Sequence, residues 1–211
     1  MTGKRSSYHH GELRDALIDA ATGIIREQGI EGFSLREAAR RAGVSPGAPA
    51  HHFKTAKGLL TEVALLGYRQ LGEYLARVEQ TGDAAGDIAG ISLAYVRFAL
   101  DHPGVFRLMF RNDLVDRGDP RYEGTSMSTF QPFAQAANAY RRTEGMDRIE
   151  ERAALFAVWS AIHGMAHLVL EEKVNGLFGV ASSKEWVESH LPTVLKAIWH
   201  THARGGVQSS S

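Results

Sequence analysis

The sequence predicts an all-α protein of about nine helices, in which the first three form a compact N-terminal head on a larger helical body. Apolar residues recur at spacings of three and four along most of the chain, and no segment shows the sustained alternation of a half-buried strand. Glycine and proline fall between these segments, where they end one helix or begin the next. With 44% hydrophobic and 23% charged residues among 211, the chain is able to bury a core, which argues against global disorder.

The composition restricts the kinds of site and the compartment. The chain contains no cysteine, so disulfides and thiolate metal sites are excluded and a reducing compartment is favoured. No apolar run follows the first basic residues, so we expect no secretory signal and a cytoplasmic location. The net charge is zero, but residues 1–60 carry nine Lys and Arg against six Asp and Glu. This basic head gives weak support for a polyanionic partner.

Two helices of the head are predicted from stripes of apolar residues at helical spacing and from the residues that cap or end each helix. Gly29 ends the first helix as a C-terminal stop. Ser34 caps the second helix, with Glu37 at the capping-box spacing, and Gly43 ends it. The two stripes consist of Leu13, Leu17, Ala20, Ala21 and Ile24, and then of Leu35, Ala38, Ala39 and Ala42.

The third helix of the head is predicted from the segment SPGAPAHHF, although this segment holds two prolines and a glycine. Gly43 is able to adopt the positive φ of a turn, and Ser45 is the expected N-cap. Pro46 then falls at the first helical position, where its fixed φ helps and its missing N–H is not needed. Phe53 anchors the helix in the head. The second and third helices are therefore predicted to form a helix-turn-helix.

Six further helices are predicted in the body. His102 and Pro103 separate two of them, since proline ends one helix and is able to open the next. The predicted domains are the head at 1–58, the body at 59–204 and a flexible tail at 205–211. The predicted helices lie at about 55–81, 88–101, 103–110, 127–144, 147–173 and 184–203, with a loop at 111–124.

The segment 153–170 contains no charged residue and, at eighteen residues, reaches the lower limit for a membrane span. Ser160, His163, Gly164 and His167 make it a poor span. A helix that is apolar all round is also found buried on both sides in a soluble assembly. We therefore expect this helix to lie between its own subunit and a partner.

The final helix shows a further apolar stripe, and these last two helices carry more apolar surface than one subunit is able to cover. Two helices from each of two chains are therefore predicted to form a four-helix interface in a homodimer. Pro192 is expected to mark a kink or a restarted turn in the final helix. The candidate interface residues are Leu155, Ile162, Ala166, Val169, Leu170, Leu191, Val194, Leu195, Ile198 and Trp199.

Two groups of residues form motifs that point to a known family. The head residues are Ser34-Leu35-Arg36-Glu37-Ala38-Ala39, Ala42-Gly43-Val44-Ser45, His52-Phe53 and Leu59-Leu60, and the body residues, together with YHHGELR at 8–14, are His102-Pro103, FRLMF at 106–110, Trp159, His163 and Gly164. Over about fifty residues, with the helix-turn-helix at about 34–53, the head resembles the DNA-binding domain of the TetR family of transcriptional regulators. The second group resembles the branch of that family that carries a C-terminal Trp-His-Gly signature.

Two positions depart from the pattern of the family. The family commonly has a tyrosine where this chain has Ala50, and a lysine where this chain has Ala56. Lys54 and Lys57 lie close by in sequence. The departures bear on which residues hold the phosphate backbone, and they leave the fold unaffected.

The resemblance implies a sequence-specific transcriptional regulator that acts as a homodimer on a palindromic operator and binds an unknown small molecule. A repressor released by that ligand is the favoured interpretation, with no enzymatic activity and no cofactor. One alternative is an all-α ligand- or protein-binding module whose head does not bind DNA. Another is a metal-assisted enzyme built on His163 and His167, with Glu171 four residues further on, although the sequence shows no motif for another ligand.

DNA contacts are expected from the first turns of the third helix. Pro46, Gly47, Ala48 and His51 are expected to face base edges, where His51 offers a hydrogen bond and Ala48 is able to meet a thymine methyl. This segment has no arginine or asparagine for a bidentate contact, so DNA shape is expected to contribute to selection. An arm formed by Lys4 and Arg5 is expected to assist. The candidate phosphate contacts are Ser34, Ser45, His52, Lys54 and Lys57.

The resemblance also implies a ligand pocket in the body, which we expect near Trp159 and His163. Aromatic and methionine side chains at helical spacing could line such a cavity, and the same pattern fits an ordinary core. The candidate pocket residues are Phe98, Phe106, Met109, Phe110, Met127, Phe130, Phe133, Trp159, His163 and Met165.

Overall fold

The structure of the protein is a computed structural model that describes residues 4–146 and 148–203. For residues 4–11, 195–196 and 198–203 it describes the backbone alone. The predicted tail at 205–211 therefore lies outside the described residues. The same holds for the side chains of five predicted site residues, Lys4, Arg5, Leu195, Ile198 and Trp199.

Ten α-helices and no strand occur in the described part of the chain, which confirms the all-α prediction. The additional helix is α9, which Glu172, at φ 53°, separates from α8 and which Gly179, at φ 63°, ends. The helices are α1 Lys4–Gln28, α2 Leu35–Arg41, α3 Ala48–Phe53, α4 Ala56–Ala76, α5 Ala84–Asp101, α6 Pro103–Met109, α7 Pro120–Thr143, α8 Glu151–Leu170, α9 Lys173–Phe178 and α10 Ser183–Ala203.

The chain divides into two compact units that do not follow the chain order. The first unit contains residues up to 70 together with 102–129, and the second contains 71–101 together with the residues from 130 onward. Helices α4 and α7 therefore contribute residues to both units. The first unit holds more than the head predicted to end at residue 58, because it also includes the first part of α4, all of α6 and the beginning of α7.

In the first unit, α6 packs against α1 and α4, with a glycine at each contact. A Cβ atom at Gly104 would lie 2.5 Å from the Ile25 carbonyl oxygen, and one at Gly67 would lie 2.6 Å from Val105 Cγ1. Side chains at these two positions would force the helices apart, since real Cβ atoms do not approach so closely. The glycines thus allow α6 to lie close to both α1 and α4.

The predicted loop at 111–124 is fixed to α4 in the same unit. The Asp116 backbone N–H donates to Thr61 Oγ1 at 2.8 Å, and Val115 is fully buried. The loop also ends earlier than predicted, because α7 begins at Pro120.

In the second unit, α5 contacts α8 and α10 and buries Tyr95 and Phe98. Arg97 Nε of α5 donates to Glu188 Oε1 of α10 at 3.1 Å. Helix α10 continues through Pro192, where the sequence predicted a kink or a restarted turn. The core of this unit therefore lies between α5, α8 and α10.

Candidate functional site

The turn between α2 and α3 is set by hydrogen bonds at the end of α2. Gly43 has φ 68°, and its N–H donates to the Arg40 carbonyl oxygen at 3.2 Å. The Val44 N–H donates to the Ala39 carbonyl oxygen at 3.0 Å. These two bonds are those of a Schellman motif, which needs a left-handed residue and therefore favours glycine at this position. The predicted stop at Gly43 is confirmed.

Helix α3 begins two residues later than predicted. The prediction that Ser45 caps the helix and that Pro46 is its first residue is wrong, because Gly47 is the N-cap and Ala48 is the first helical residue. The Ala48 N–H donates to the Ser45 carbonyl oxygen at 3.0 Å, so these residues form a turn. Proline suits the second position of such a turn as well as the start of a helix. Pro49 lies in the first turn of α3, where its missing N–H is not needed.

The outward side of α3 and its preceding turn is formed by Pro46, Gly47, Ala50 and His51, all of which are exposed. We call these four residues the α3 face. Ala48, a predicted base contact, is half-buried. Ala50 was not among the predicted contacts, although its position three residues after Gly47 places it on the same side of a helix. The α3 face therefore contains one hydrogen-bonding side chain.

The candidate phosphate contacts around α3 are mostly exposed. Ser34 Oγ accepts from the Glu37 N–H at 3.2 Å, which confirms the predicted cap of α2. Ser45, Lys54 and Lys57 are exposed, and His52 is half-buried. Ser34 is exposed as well, so four of the five candidate side chains are accessible to a polyanion.

Arg36 and Arg40 are exposed on α2 and were not among the predicted contacts. Helical periodicity predicts their exposure, since both lie on the side of α2 opposite to the buried Ala38. Arg40 donates to Glu37 at 2.7 and 2.8 Å, and the hydrogen bonds from Arg40 and Arg41 lower the pKa of Glu37 to about 2. The shallow depression between α2 and the turn is lined by Ser34, Arg36, Glu37, Arg40, Val44 and Pro46.

A tight joint connects α3 to α4. Lys54 has φ 63° and ψ −49°, and the Thr55 N–H donates to the Phe53 carbonyl oxygen at 2.7 Å. This is a γ-turn with positive φ, a rare and strained conformation. A Cβ atom at Gly58 would lie 2.1 Å from the same Phe53 oxygen. The backbone between α3 and α4 therefore has little conformational freedom, and Lys54 is held in one position directly after α3.

A buried carboxylate also connects the end of α3 to the rest of the first unit. Glu62 of α4, whose side chain is 9% exposed, lies 2.5 Å from Nη2 of both Arg14 and Arg121. The guanidinium carbon of Arg14 lies 5.6 Å from the centre of the Phe53 ring, within the range of a cation–π contact. Arg121 also donates to Asp119. The arrangement links α1, α3, α4 and α7, and we call Arg14, Glu62 and Arg121 the Glu62 triad.

A polar cluster lies among aromatic rings in the second unit. Tyr95 Oη lies 2.8 Å from His163 Nδ1 and 3.4 Å from Trp159 Nε1. The ring centroids of Phe130 and Trp159 are 5.5 Å apart. Burial, and to a lesser degree the charge of His167, lowers the pKa of His163 to about 4, so the imidazole is neutral at pH 7. Burial raises the pKa of Tyr95. The cluster is therefore uncharged at neutral pH.

The predicted pocket residues differ in exposure and are divided between the two units. Met127 is 67% exposed, whereas four others are fully buried in the manner of a core. Around Tyr95, the structure brings together Phe130, Trp159 and His163. The fully buried residues are Phe98, Phe106, Met109 and Phe133, and the half-buried ones are Phe110, Phe130, Trp159, His163 and Met165.

The predicted interface residues on α8 lie mainly on its buried side. Ile162, Ala166 and Val169, with Leu191 of α10, are buried within the subunit, and Leu155, Leu170 and Val194 are half-buried. The exposed side of the helix, which we call the α8 face, instead consists of Ala153, Phe156, Ala157, Ser160, Gly164 and Leu168.

An apolar groove of about 440 Å³ lies beside the α8 face and is also lined by α9 and α10. Leu177 and Phe178 of α9 are 76% and 55% exposed beside it, and Phe156 of α8 is 64% exposed. Among the described residues, α8 is the one helix long and apolar enough to cross a membrane by length and composition, and 33% of its most apolar stretch is buried. Such a large exposed apolar surface marks a site of interaction.

The possible metal ligands do not form a cluster of three. The ring centroids of His163 and His167 are 4.7 Å apart. However, no group of three or more His, Asp or Glu side chains that could hold a metal ion occurs in the part of the chain that the structure describes.

Two family models match the chain. Residues 17–63 match the one described as bacterial regulatory proteins, tetR family, and residues 88–193 match the one described as tetracyclin repressor-like, C-terminal domain. The first match contains the helix-turn-helix, and the second contains most of α5, all of α8 and the Tyr95 cluster.

Individual proteins match over different lengths. The chain is 30% identical over 98 residues to the uncharacterized HTH-type transcriptional regulator YobS of Bacillus subtilis (strain 168). The matched segment is 46% of this chain and 50% of that protein. The chain is 42% identical over 62 residues to the HTH-type transcriptional regulator CymR of Pseudomonas putida, and here the matched segment is 29% of this chain and 30% of that protein. The chain thus spans half or less of the length of these curated relatives. A solved structure of a protein with unknown function from Rhodococcus sp. RHA1 matches with a TM-score of 0.72 and 27% identity, over 90% of this chain and 97% of that one.

Proposed function

The chain belongs to the TetR family of bacterial regulatory proteins, and on that basis we propose that it is a sequence-specific DNA-binding transcriptional regulator, a repressor that a small molecule releases from its operator. The observation that carries the proposal is the α2–turn–α3 unit, whose outward side is exposed between exposed cations. Arg36 precedes the α3 face, and Lys54 and Lys57 follow it. Such an arrangement favours a polyanion across the face. The site of action is then the cytoplasm, where the DNA is.

In the proposed complex, α3 lies in the major groove, and Pro46, Gly47 and His51 face base edges, as expected from the sequence. Ser34, Arg36, Lys54 and Lys57 contact phosphates on either side and fix the register of the helix. Lys4 and Arg5 extend the contact into the adjacent minor groove, the role predicted for them from the sequence.

We further propose a homodimer that joins two copies of the α8 face. The exposed side chains of Phe156 and Leu168, at 64% and 53%, would be covered by the same residues of the second copy, as a two-fold interface requires. The groove beside α9 and α10 extends this apolar surface. Two heads then meet two half-sites of a palindromic operator.

The effector site in this proposal is the neutral cluster of Tyr95, Trp159 and His163. Aromatic rings with a few hydrogen-bonding groups are the usual lining of small-molecule sites. A ligand releases the repressor by favouring a spacing of the two heads that does not fit the operator. DNA and ligand then weaken the binding of each other by the same factor.

The first test measures binding of the purified protein to its own upstream intergenic DNA, by fluorescence anisotropy at several salt concentrations, with random DNA as the control. We expect saturable binding by two chains per site that exceeds the control and weakens steeply with salt. The Arg36→Gln variant should lower the salt slope by about 1, as expected for one lost phosphate contact. Arg77→Gln, at a position that is also exposed but lies outside the first unit, should leave the slope unchanged.

Equal and weak binding to both DNAs would refute the proposal. The protein would then be an all-α ligand- or protein-binding module whose head does not bind DNA. The exposed Ala50 and Ala56, at positions where the family commonly has a tyrosine and a lysine, are the observation that favours this alternative.

A further inference from the structure

The side chains that the α3 face presents are short and almost entirely apolar. Pro46 and Ala50 offer a pyrrolidine ring and a methyl group, Gly47 offers no side chain, and His51 offers an imidazole. A Cβ atom at Gly47 would have no other atom within 4 Å, so the surface there is open. The part of the chain at 46–51 contains no arginine, lysine, asparagine, glutamine or carboxylate.

These groups restrict which base edges the face is able to recognise. Guanine and adenine are read by bidentate contacts from Arg, Lys, Asn or Gln, and cytosine is read by a carboxylate. The α3 face has none of these side chains. The C5-methyl group of thymine is the apolar group that the major groove presents, and it matches the exposed carbons of Pro46 and Ala50.

The structure also holds the α3 face in one position. Pro49 and Phe53, on the opposite side of α3, are buried, and the γ-turn at Lys54 fixes the end of the helix. Because the outward side chains are short, the backbone of α3 is able to approach the base edges closely. Arg36 lines the same depression as Pro46, and Lys54 follows α3 directly; both are exposed, so phosphates beside the face have cations to contact.

We propose that the α3 face reads thymine methyl groups, so that each half-site of the operator carries thymines under Pro46 and Ala50 and a purine that His51 contacts. The inference rests on the proposed function, since it assumes that α3 enters the major groove. The purine contact is a single hydrogen bond from the imidazole to N7, which accepts in both adenine and guanine. Specificity at those positions then depends on methyl groups.

The test replaces the thymines of the bound operator with deoxyuridine, one at a time, because this removes the 5-methyl group and changes no base pair. Anisotropy titrations at fixed salt should show about fourfold weaker binding for each contacted thymine, the effect of losing one buried methyl. Replacing a contacted thymine by 5-methylcytosine should retain more affinity than replacing it by cytosine. Thymines between the half-sites should tolerate uracil without loss.

A substitution in the protein shows which thymine methyl group Ala50 contacts. In Ala50→Gly, uracil at one position of each half-site should no longer weaken binding, while the remaining contacted thymines keep their effect. Ala56→Gly is the matched control, since Ala56 is also exposed and lies outside the α3 face. Both variants replace a helical alanine, so thermal unfolding of the two proteins should be compared first.

The outcomes separate the inference from the proposed function. If the protein prefers its operator to random DNA but tolerates uracil at every thymine, the inference is overturned and the regulator remains. If it shows no preference for any DNA, the proposed function fails. A preference that depends on guanine-rich half-sites would also overturn thymine readout.

Discussion

Replacing Glu62 with glutamine tests whether the Glu62 triad holds the first unit together. The substitution keeps the shape of the side chain and removes its charge. In the wild-type protein, each carboxylate oxygen accepts from a guanidinium, Oε2 from Arg14 and Oε1 from Arg121, both at 2.5 Å. The amide of glutamine keeps one acceptor oxygen, so one of the two arginines loses its acceptor and the other bond is no longer assisted by charge.

The size of the effect follows from burial and exposure in the triad. A hydrogen bond to a charged group contributes about 1.5–3 kcal/mol. The Glu62 side chain is 9% exposed, but those of Arg14 and Arg121 are 36% and 54% exposed, so water compensates part of the loss. We therefore expect the free energy of unfolding at pH 7 to fall by about 2 kcal/mol, measured by urea denaturation followed by circular dichroism.

The pH dependence of this difference identifies the carboxylate as its source. Burial raises the pKa of Glu62, but the hydrogen bonds from Arg121 and Arg14 outweigh burial and hold the pKa below its ordinary value of 4.5. A carboxyl whose folded-state pKa is lowered stabilises the fold fully above its unfolded value, and this contribution disappears as the pH falls through the folded value. The difference between the wild-type protein and the variant should be constant near neutral pH and should shrink below about pH 4.5.

Glu73→Gln is the matched control, because Glu73 lies on the same helix and pairs with Arg77 at 3.9 Å, with both side chains exposed. An exposed pair of this kind contributes about 0–0.5 kcal/mol. Equal effects of the two substitutions at pH 7 would refute the role of the Glu62 triad. A loss at Glu62 that stays the same down to pH 3 would refute the electrostatic explanation.

Four further predictions concern the joint after α3, the α8 face and the Tyr95 cluster. Gly58→Ala places a Cβ atom 2.1 Å from a backbone oxygen, so we expect urea denaturation to show a loss of about 2–3 kcal/mol together with weaker operator binding. Lys54→Gly should instead stabilise the fold by about 1 kcal/mol, since glycine adopts positive φ without strain, while the salt slope of DNA binding falls by about 1. Phe156→Arg should convert the proposed dimer to a monomer in sedimentation velocity, because it places a charge in the proposed interface on the α8 face. His163, with its folded-state pKa lowered to about 4, should show no imidazole titration by NMR between about pH 5.5 and 8, and stability should fall as the pH drops from about 6.5 towards 4, where the unfolded state binds the additional proton.

The end of α2 could be predicted from the sequence, but the start of α3 could not. At Gly43, the apolar stripe ends and the required left-handed conformation favours glycine, so two independent signals agree. At Pro46, the fixed φ of proline fits the first position of a helix and the second position of a turn equally well. Burial of Pro49 decides between them, and that is a property of the packed unit.

The exposed side of α8 could not be predicted because the helix is apolar on all sides. Hydrophobic periodicity locates a buried side only where a polar side contrasts with it. In the structure, Ile162 and Ala166 are buried within the subunit, while Phe156 and Leu168 are exposed, although all four are apolar. The Glu62 triad gave no signal for a different reason, since its members come from three distant segments and ion pairs of this kind follow no period.

With the proposed thymine readout, the short side chains of the α3 face require two heads for useful specificity. A thymine methyl contact changes affinity about fourfold, and the hydrogen bond of His51, at about 1 kcal/mol, changes it about fivefold, so two methyl contacts and one purine contact give roughly 80-fold discrimination by one head. Two half-sites multiply this to roughly 6,000-fold, within the range of about 10³–10⁷ by which regulators prefer their operators to other DNA. A single head lies below that range. The Phe156→Arg variant should therefore lose most of its preference for operator over random DNA while it keeps its affinity for random DNA per head, measured by the same anisotropy titrations. A monomeric variant that retained the full preference would show that one head obtains its specificity from contacts other than those of the α3 face.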